Sequence, residues 1–172
     1  MANSIWFRDK ACRCSNGCMA VLLTVLGLSG SRLARTDDEK NMVVWLMEHD
    51  QSAIGMGCAG FDITEMPWTI HGFEAQKQFM LRILAGAWEK LGWETLWYAP
   101  NEAIIFDRLA DLQDMFLAIE AKDIDEELTK QWIEESDAGD PIYTGYPMCR
   151  EHGIYESVFG CIACNDHAGG NP

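Results

Sequence analysis

Seven cysteines stand in this chain of 172 residues, and six of them fall into two clusters. Near the C-terminus the order is Cys149-Arg150-Glu151-His152-Gly153, then a mostly apolar stretch, then Cys161-Ile162-Ala163-Cys164. Thiolate sulfur and imidazole nitrogen are the donors a tetrahedral Zn2+ ion prefers. Two donors three positions apart can chelate one ion from a single tight turn, and that spacing occurs here twice. Gly153, directly after His152, tolerates the backbone such a turn needs. Free thiols beside a surface histidine are the bland alternative. The repeated register favours ligation, with Cys149, His152, Cys161 and Cys164 as the ligands. Four protein ligands close the coordination sphere, whereas catalytic zinc keeps one position open, so the ion expected is structural. Asp166 and His167 follow closely and could replace a ligand.

This pattern resembles a small zinc ribbon or zinc knuckle of the Cys3His type. The resemblance covers about the last 30 residues and implies a bound Zn2+ and a folded module, not an activity. So short a segment buries little apolar surface of its own. Structural zinc supplies on the order of 10 kcal/mol to modules of this size.

Cys12, Cys14 and Cys18 form the second cluster, with Cys58 alone further on. Three close thiolates can bind a soft metal, and Cys58 could complete a second site if its glycine-rich loop folds back. The spacing matches neither common ferredoxin pattern. Unpaired thiols beside a buried helix are the competing reading, since C-x-C does not form the usual knuckle. Arg13 between two cysteines also allows a redox-sensitive thiol.

Other constellations are weaker. His49-Asp50 lacks the further His and Asp ligands of a metal-dependent phosphohydrolase and reads as an exposed helix end, where histidine suits the helix dipole. Asp107, Asp111 and Asp114 line one helix face, either as a solvated acidic surface or as a site for a divalent metal or basic protein. Residues 55–67 are glycine-rich but lack the Lys-Ser/Thr of a phosphate loop. The run Phe61 to Trp68 reads as cover for the core. No G-x-S-x-G or H-E-x-x-H occurs.

The net charge is -14, with a sequence pI near 4.5. That argues against a nucleic-acid backbone binder, which needs cations to replace counterions, and against docking on anionic lipid. The charge is polarised. Residues 1–36 carry a net +4, and residues 101–140 hold thirteen acids against Arg108, Lys122 and Lys130. The longest apolar run, residues 19–28, is shorter than the roughly 20 residues a membrane-spanning helix needs. It makes a poor signal peptide, with Asp9 in the positive region and Arg32 near the cleavage position. An odd count of clustered cysteines fits a reducing compartment, so a cytoplasmic location is expected.

Helices are expected over residues 19–28, over 36–50 from a capping box at Thr36-Asp37-Asp38-Glu39, over 70–91 ending at Gly92, and from Asn101. In the last, Ile105, Leu109, Leu112, Phe116 and Ile119 form a buried stripe. A further turn or helix is expected from Asp123 to about Ser136, after an Asp cap. Phe61-Asp62-Ile63 and residues 93–98 could be strands. Together these give an α+β fold, mainly α. Residues 1–140 form a helical domain with a few short strands, and residues 141–172 a small zinc-bound β-hairpin module packed on it. The function expected is an intracellular zinc-binding protein acting by protein–protein interaction. An acidic surface that includes Asp107, Asp111, Asp114, Glu126 and Glu127 would steer a basic protein partner, as in inhibitors, immunity proteins or adaptors. The alternative is a small enzyme, metal-dependent or not, with its site near residues 55–67.

Overall fold

The computed structural model describes residues 3–169 and is organised around one buried helix, α1 (Asn16–Leu33). Ser15 caps it by accepting from Cys18 N at 3.2 Å. The helix outruns the expected residues 19–28 because tertiary packing overrides the low helix propensity of Gly27, Ser29, Gly30 and Ser31. Those small residues let neighbours approach. A Cβ at Gly30 would lie 2.8 Å from Val43 Cγ2, and one at Gly27 would lie 2.4 Å from Met47 Sδ. By length and composition alone α1 could cross a bilayer, which the ten-residue apolar run understated, but here 67% of that window is buried inside the fold.

Around it lie α2 (Asp37–Met47), α3 (Phe73–Trp88), α4 (Glu102–Ala118), α5 (Glu126–Glu135) and α6 (Ile162–Gly169). The capping box forms as expected: Glu39 N donates to Thr36 Oγ1 and Thr36 N to Glu39 Oε2, both at 3.2 Å. Asn101 caps α4, and Ile105, Leu109, Leu112, Phe116 and Ile119 are all buried. Ile70 falls outside α3 and is exposed. Asp125, not Asp123, caps α5. Thr129 is its buried residue, donating from Oγ1 to Trp68 O at 2.6 Å.

The strands are β1 (Ser4–Phe7), β2 (Lys10–Arg13) and β3 (Phe61–Asp62), in sheet order β2-β1-β3. β1 pairs antiparallel with β2 and parallel with β3. The β1–β2 hairpin adds to the expected elements. Its inward residues Ile5 and Phe7 are separated from Cys12 by the charged stretch Arg8-Asp9-Lys10, which masks the alternation. Residues 93–98 make a 3-10 turn over Trp93–Thr95 instead of a strand, entered from Gly92 at φ +83°.

Residues 146–161 hold two isolated antiparallel bridges, Met148 with Tyr155 and Ser157 with Gly160, where a fuller hairpin was expected. Tight turns at Gly153 and Gly160 (φ +64° and +84°) leave too little chain between them for a ladder. Ile154, Tyr155, Cys161, Ile162 and Ala163 join the same hydrophobic cluster as the helices.

Candidate metal centre

Two chain reversals and the start of α6 build a four-donor cluster. In the first, Gly153 N donates to Cys149 O at 2.8 Å and Cys149 N to Ile154 O at 2.9 Å. The backbone N–H groups of His152 and Glu151 point at the Cys149 sulfur. In the second, Gly160 turns the chain into Cys161, whose sulfur receives the backbone N–H of Cys164. The x2 spacing brings the two donors of each pair to one point, across the first reversal for Cys149 and His152 and across the start of α6 for Cys161 and Cys164. His152 turns Nδ1 inward, 3.6 Å from Cys149 Sγ, 3.7 Å from Cys161 Sγ and 3.4 Å from Cys164 Sγ. Cys149 and Cys164 sulfurs are 3.7 Å apart. All four ligand atoms lie within 4.8 Å of one another, and among the described residues this is the one such group of three or more His, Cys, Asp or Glu. It could hold a metal ion.

Burial pushes the Cys161 thiol up to about 12 and raises Cys164 as well. Burial acts on Cys149 too, but the N–H groups of His152 and Glu151 and the neighbouring thiols outweigh it and lower that thiol. A central cation would favour all three thiolates.

α1 supplies the frame. Arg32 Nη1 donates to Leu28 O at 3.1 Å and His152 O at 3.4 Å, while its Nη2 lies 3.8 Å from Glu94 Oε1. Ser31 Oγ accepts from Tyr155 N at 2.9 Å, and buried Ile154 sits over Gly27. A cavity of about 220 Å³, lined by Trp97, Glu151, His152, Cys164 and His167, opens beside the cluster. His167 stacks edge-on to Trp97, with centroids 5.3 Å apart. Asp166 turns to the other side, toward Thr24, Asp50 and Cys58, where burial and then Asp50 push its carboxyl up to about 6. Neither takes a ligand's place.

The N-terminal thiols are arranged differently. Cys12 is buried in β2, its sulfur 4.0 Å from Arg108 O. Cys14 and Cys18 are half-buried and line one surface groove with Arg13 and Arg108. Cys58 donates from N to Asn16 Oδ1 at 2.8 Å, and its sulfur lies 3.9 Å from Asp50 Oδ1. The four are not gathered to metal-site spacing.

Asp107 and Asp114 are exposed and Asp111 half-buried. The basic hairpin folds onto this acidic stretch. Lys10 lies 3.8 Å from Asp114, Arg108 lies 3.4 Å from Asp111, and Arg8 donates to both carboxylate oxygens of Asp123 at 3.0 and 2.9 Å. Glu126 is half-buried, and exposed Glu127 accepts from Lys130 at 2.6 Å. The loop of residues 55–67 folds down as core cover: Phe61, Ile63 and Met66 are buried, and Trp68 Nε1 donates to Ile63 O at 2.7 Å.

His49 is no exposed helix end. Its ring packs against Trp45 and Phe61 (centroids 4.1 and 4.5 Å), Nδ1 meets Trp45 O at 2.8 Å, and burial lowers its pKa to about 4. Sequence reasoning also missed Glu48. Burial raises its carboxyl to about 7 against the Trp132 Nε1 bond (2.9 Å) that lowers it. An acid at a helix end gives no sequence sign that an indole from residue 132 will cover it. No family model, curated protein or solved structure matches this chain.

Proposed function

We propose that the chain is a zinc-binding protein whose Cys149, His152, Cys161 and Cys164 hold one structural Zn2+ in a knuckle-type site. The separation of the four donors carries this reading. An ion about 2.3 Å from sulfur and about 2.05 Å from nitrogen requires tetrahedral edges of about 3.8 Å between sulfurs and about 3.6 Å from sulfur to nitrogen. The Cys149 and Cys164 sulfurs are 3.7 Å apart, His152 Nδ1 is 3.4 to 3.7 Å from the three sulfurs, and all four donors lie within 4.8 Å of one another. Soft thiolate donors favour zinc over the hard cations, which take oxygen. Four protein donors leave no open position for a substrate, so the ion's work is to pin residues 146–164 against α1. Elemental analysis of the purified protein should give one zinc per chain, and Cys161→Ser/Cys164→Ser should lose it. Unchanged zinc in that variant would overturn the assignment.

The activity that fits a closed site on an acidic chain is binding of a basic protein, in a reducing, cytoplasmic setting. The pairing of the α4 carboxylates with Lys10 and Arg108 narrows the surface on offer. On and just after α5, Glu134, Glu135 and Asp137 are exposed and have no Lys or Arg partner among the described residues. Replacing Glu126, Glu127, Glu134 and Glu135 together by Gln should abolish capture of a basic partner that high salt also releases. Capture that survives both would remove α5 as the surface.

A further inference from the structure

A cleft of about 300 Å³ runs beside α5, lined by Trp45, Glu65, Leu128, Gln131, Trp132 and Glu135. Distant parts of the chain build it. Trp45 comes from α2, Glu65 from the 3-10 turn Ile63–Glu65, and the other four from α5. Both indoles are held in place. Glu48 Oε2 takes the Trp132 Nε1–H at 2.9 Å. Trp45 lies 4.1 Å from the His49 ring and, edge-on, 4.9 Å from Phe61. Trp45 is buried and Trp132 half-buried, whereas Glu65, Gln131 and Glu135 are exposed. The cleft thus has an aromatic floor and a carboxylate rim.

Each rim carboxylate is fixed by one oxygen and keeps the other to offer. Glu65 Oε2 accepts from Asp62 N at 3.1 Å, and Glu135 Oε1 accepts from Gln131 Nε2 at 2.9 Å. No Lys or Arg lines the cleft. Lys130, the one cation of α5, lies 2.6 Å from Glu127 instead. Burial keeps the His49 ring behind Trp45 uncharged, with its pKa lowered to about 4. No positive group of the fold therefore competes for the indole faces or the rim.

We infer that this cleft seats an arginine side chain of the basic partner. The inference rests on the reading of α5 as the partner-binding surface, and it gives that surface a point of specificity. Two carboxylates on one small cleft repel each other, and a cation between them relieves the repulsion. The negative face of an indole attracts a cation, more strongly than the other aromatic rings do. A guanidinium meets both demands at once, because it is planar enough to stack on the ring while its N–H fork reaches a carboxylate. An ammonium is more strongly hydrated and cannot stack. Leu128 offers apolar surface for the methylene stem. The volume is at the small end of the range for ligand pockets, which suits one side chain better than a cofactor.

The test uses the full chain as purified and follows the indole N–H signals of Trp45 and Trp132 by nuclear magnetic resonance. The probes are blocked tetra-arginine and tetra-lysine peptides and neutral acetyl-leucine amide. Tetra-arginine should shift both indole signals and bind several-fold tighter than tetra-lysine at equal charge. Trp132→Leu should remove that advantage. Glu65→Gln keeps an oxygen for the Asp62 amide, so it should fold normally and still weaken tetra-arginine several-fold. Glu126→Gln/Glu127→Gln/Glu134→Gln reports on the rest of α5, and it should weaken both peptides alike while the arginine advantage persists. No loss in that variant, with the advantage intact, would remove those acids as the surface and keep the cleft. Tetra-arginine that binds without moving either indole signal would overturn the cleft and keep α5 as a basic-protein surface. Equal affinity for the two peptides would overturn the guanidinium preference. Equal shifts with acetyl-leucine amide would make the cleft an apolar slot and overturn the inference. Signals that move on concentrating the protein alone would assign the cleft to a second copy and overturn it as well.

Discussion

The two cysteine clusters use the same residue type to opposite ends, and the difference lies in the backbone between the thiols. At the C-terminus a tight reversal spaces Cys149 from His152, the first turn of α6 spaces Cys161 from Cys164, and the two pairs converge. At the N-terminus Cys12 lies in a strand, Cys14 directly follows it, and Cys18 starts a helix. The passage from strand to helix leaves Cys12 in the core and brings Cys14 and Cys18 to its edge. Ligand count is therefore not enough to make a metal site; the spacing has to be one that a turn can close.

The largest effect expected is on the converging cluster. Cys161→Ser/Cys164→Ser should release the metal and lower the thermal midpoint more than any of the single substitutions below, because structural zinc contributes on the order of 10 kcal/mol. Cys14→Ser and Cys18→Ser should leave the metal content untouched. Metal lost from the N-terminal variants would erase the contrast.

Next in size, Ile154→Ala should cost about 2–5 kcal/mol by denaturant titration. It removes the side chain that seats the metal segment over Gly27. Leu112→Ala, in α4 beside the N-terminal cluster, should fall in the same range. A near-neutral Ile154→Ala would mean that the ion alone holds the segment.

Glu48 belongs to neither cluster and serves as the control for burial without ligation. Its carboxyl has an ordinary value of 4.5 and a folded value of about 7. The protonated form is favoured in the fold, so its contribution to stability is complete at low pH and is lost as pH rises from the lower value through the higher. Glu48→Gln keeps the shape and removes the charge. It should leave stability unchanged near pH 4 and raise it at pH 8 by up to about 3 kcal/mol. Equal gains at both pH values would show that the carboxyl does not titrate in this way.

Cys12→Ser should cost about 1–3 kcal/mol, by setting a hydroxyl where a buried thiol was, with metal content intact. Asp111→Ala should change stability by less than about 1 kcal/mol, since its pairing with Arg108 is partly exposed. A larger loss would show that Asp111 holds Arg108 in place against the Arg13 carbonyl.

Local signals were legible in the chain. The Thr36–Glu39 capping box, the Asn101 cap and the stripe from Ile105 to Ile119 each depend on residues three or four apart, and each is present. The grouping of Cys149, His152, Cys161 and Cys164 was legible for the same reason. Long-range features were not. The hold of Arg32 on the His152 carbonyl joins α1 to a residue 120 positions away. The β1–β2 hairpin was hidden because Lys10 and Arg13 read as a basic tract. Their partners on α4 lie far along the chain: Asp114 beside the Lys10 ammonium, and Arg108, which donates to the Arg13 carbonyl.

The small residues Gly27, Ser29, Gly30 and Ser31 have a consequence for the order of events during synthesis. Ser31 meets the Tyr155 amide across 124 positions. At about 5–20 residues per second, α1 waits roughly 6–25 s for that partner to be made. Through that interval the flank of α1 over Gly27 has Met47 but not Ile154 against it, and the cysteines that would take up metal do not yet all exist. The centre of the fold is thus written first and closed last, and metal loading can only follow the closing segment's arrival.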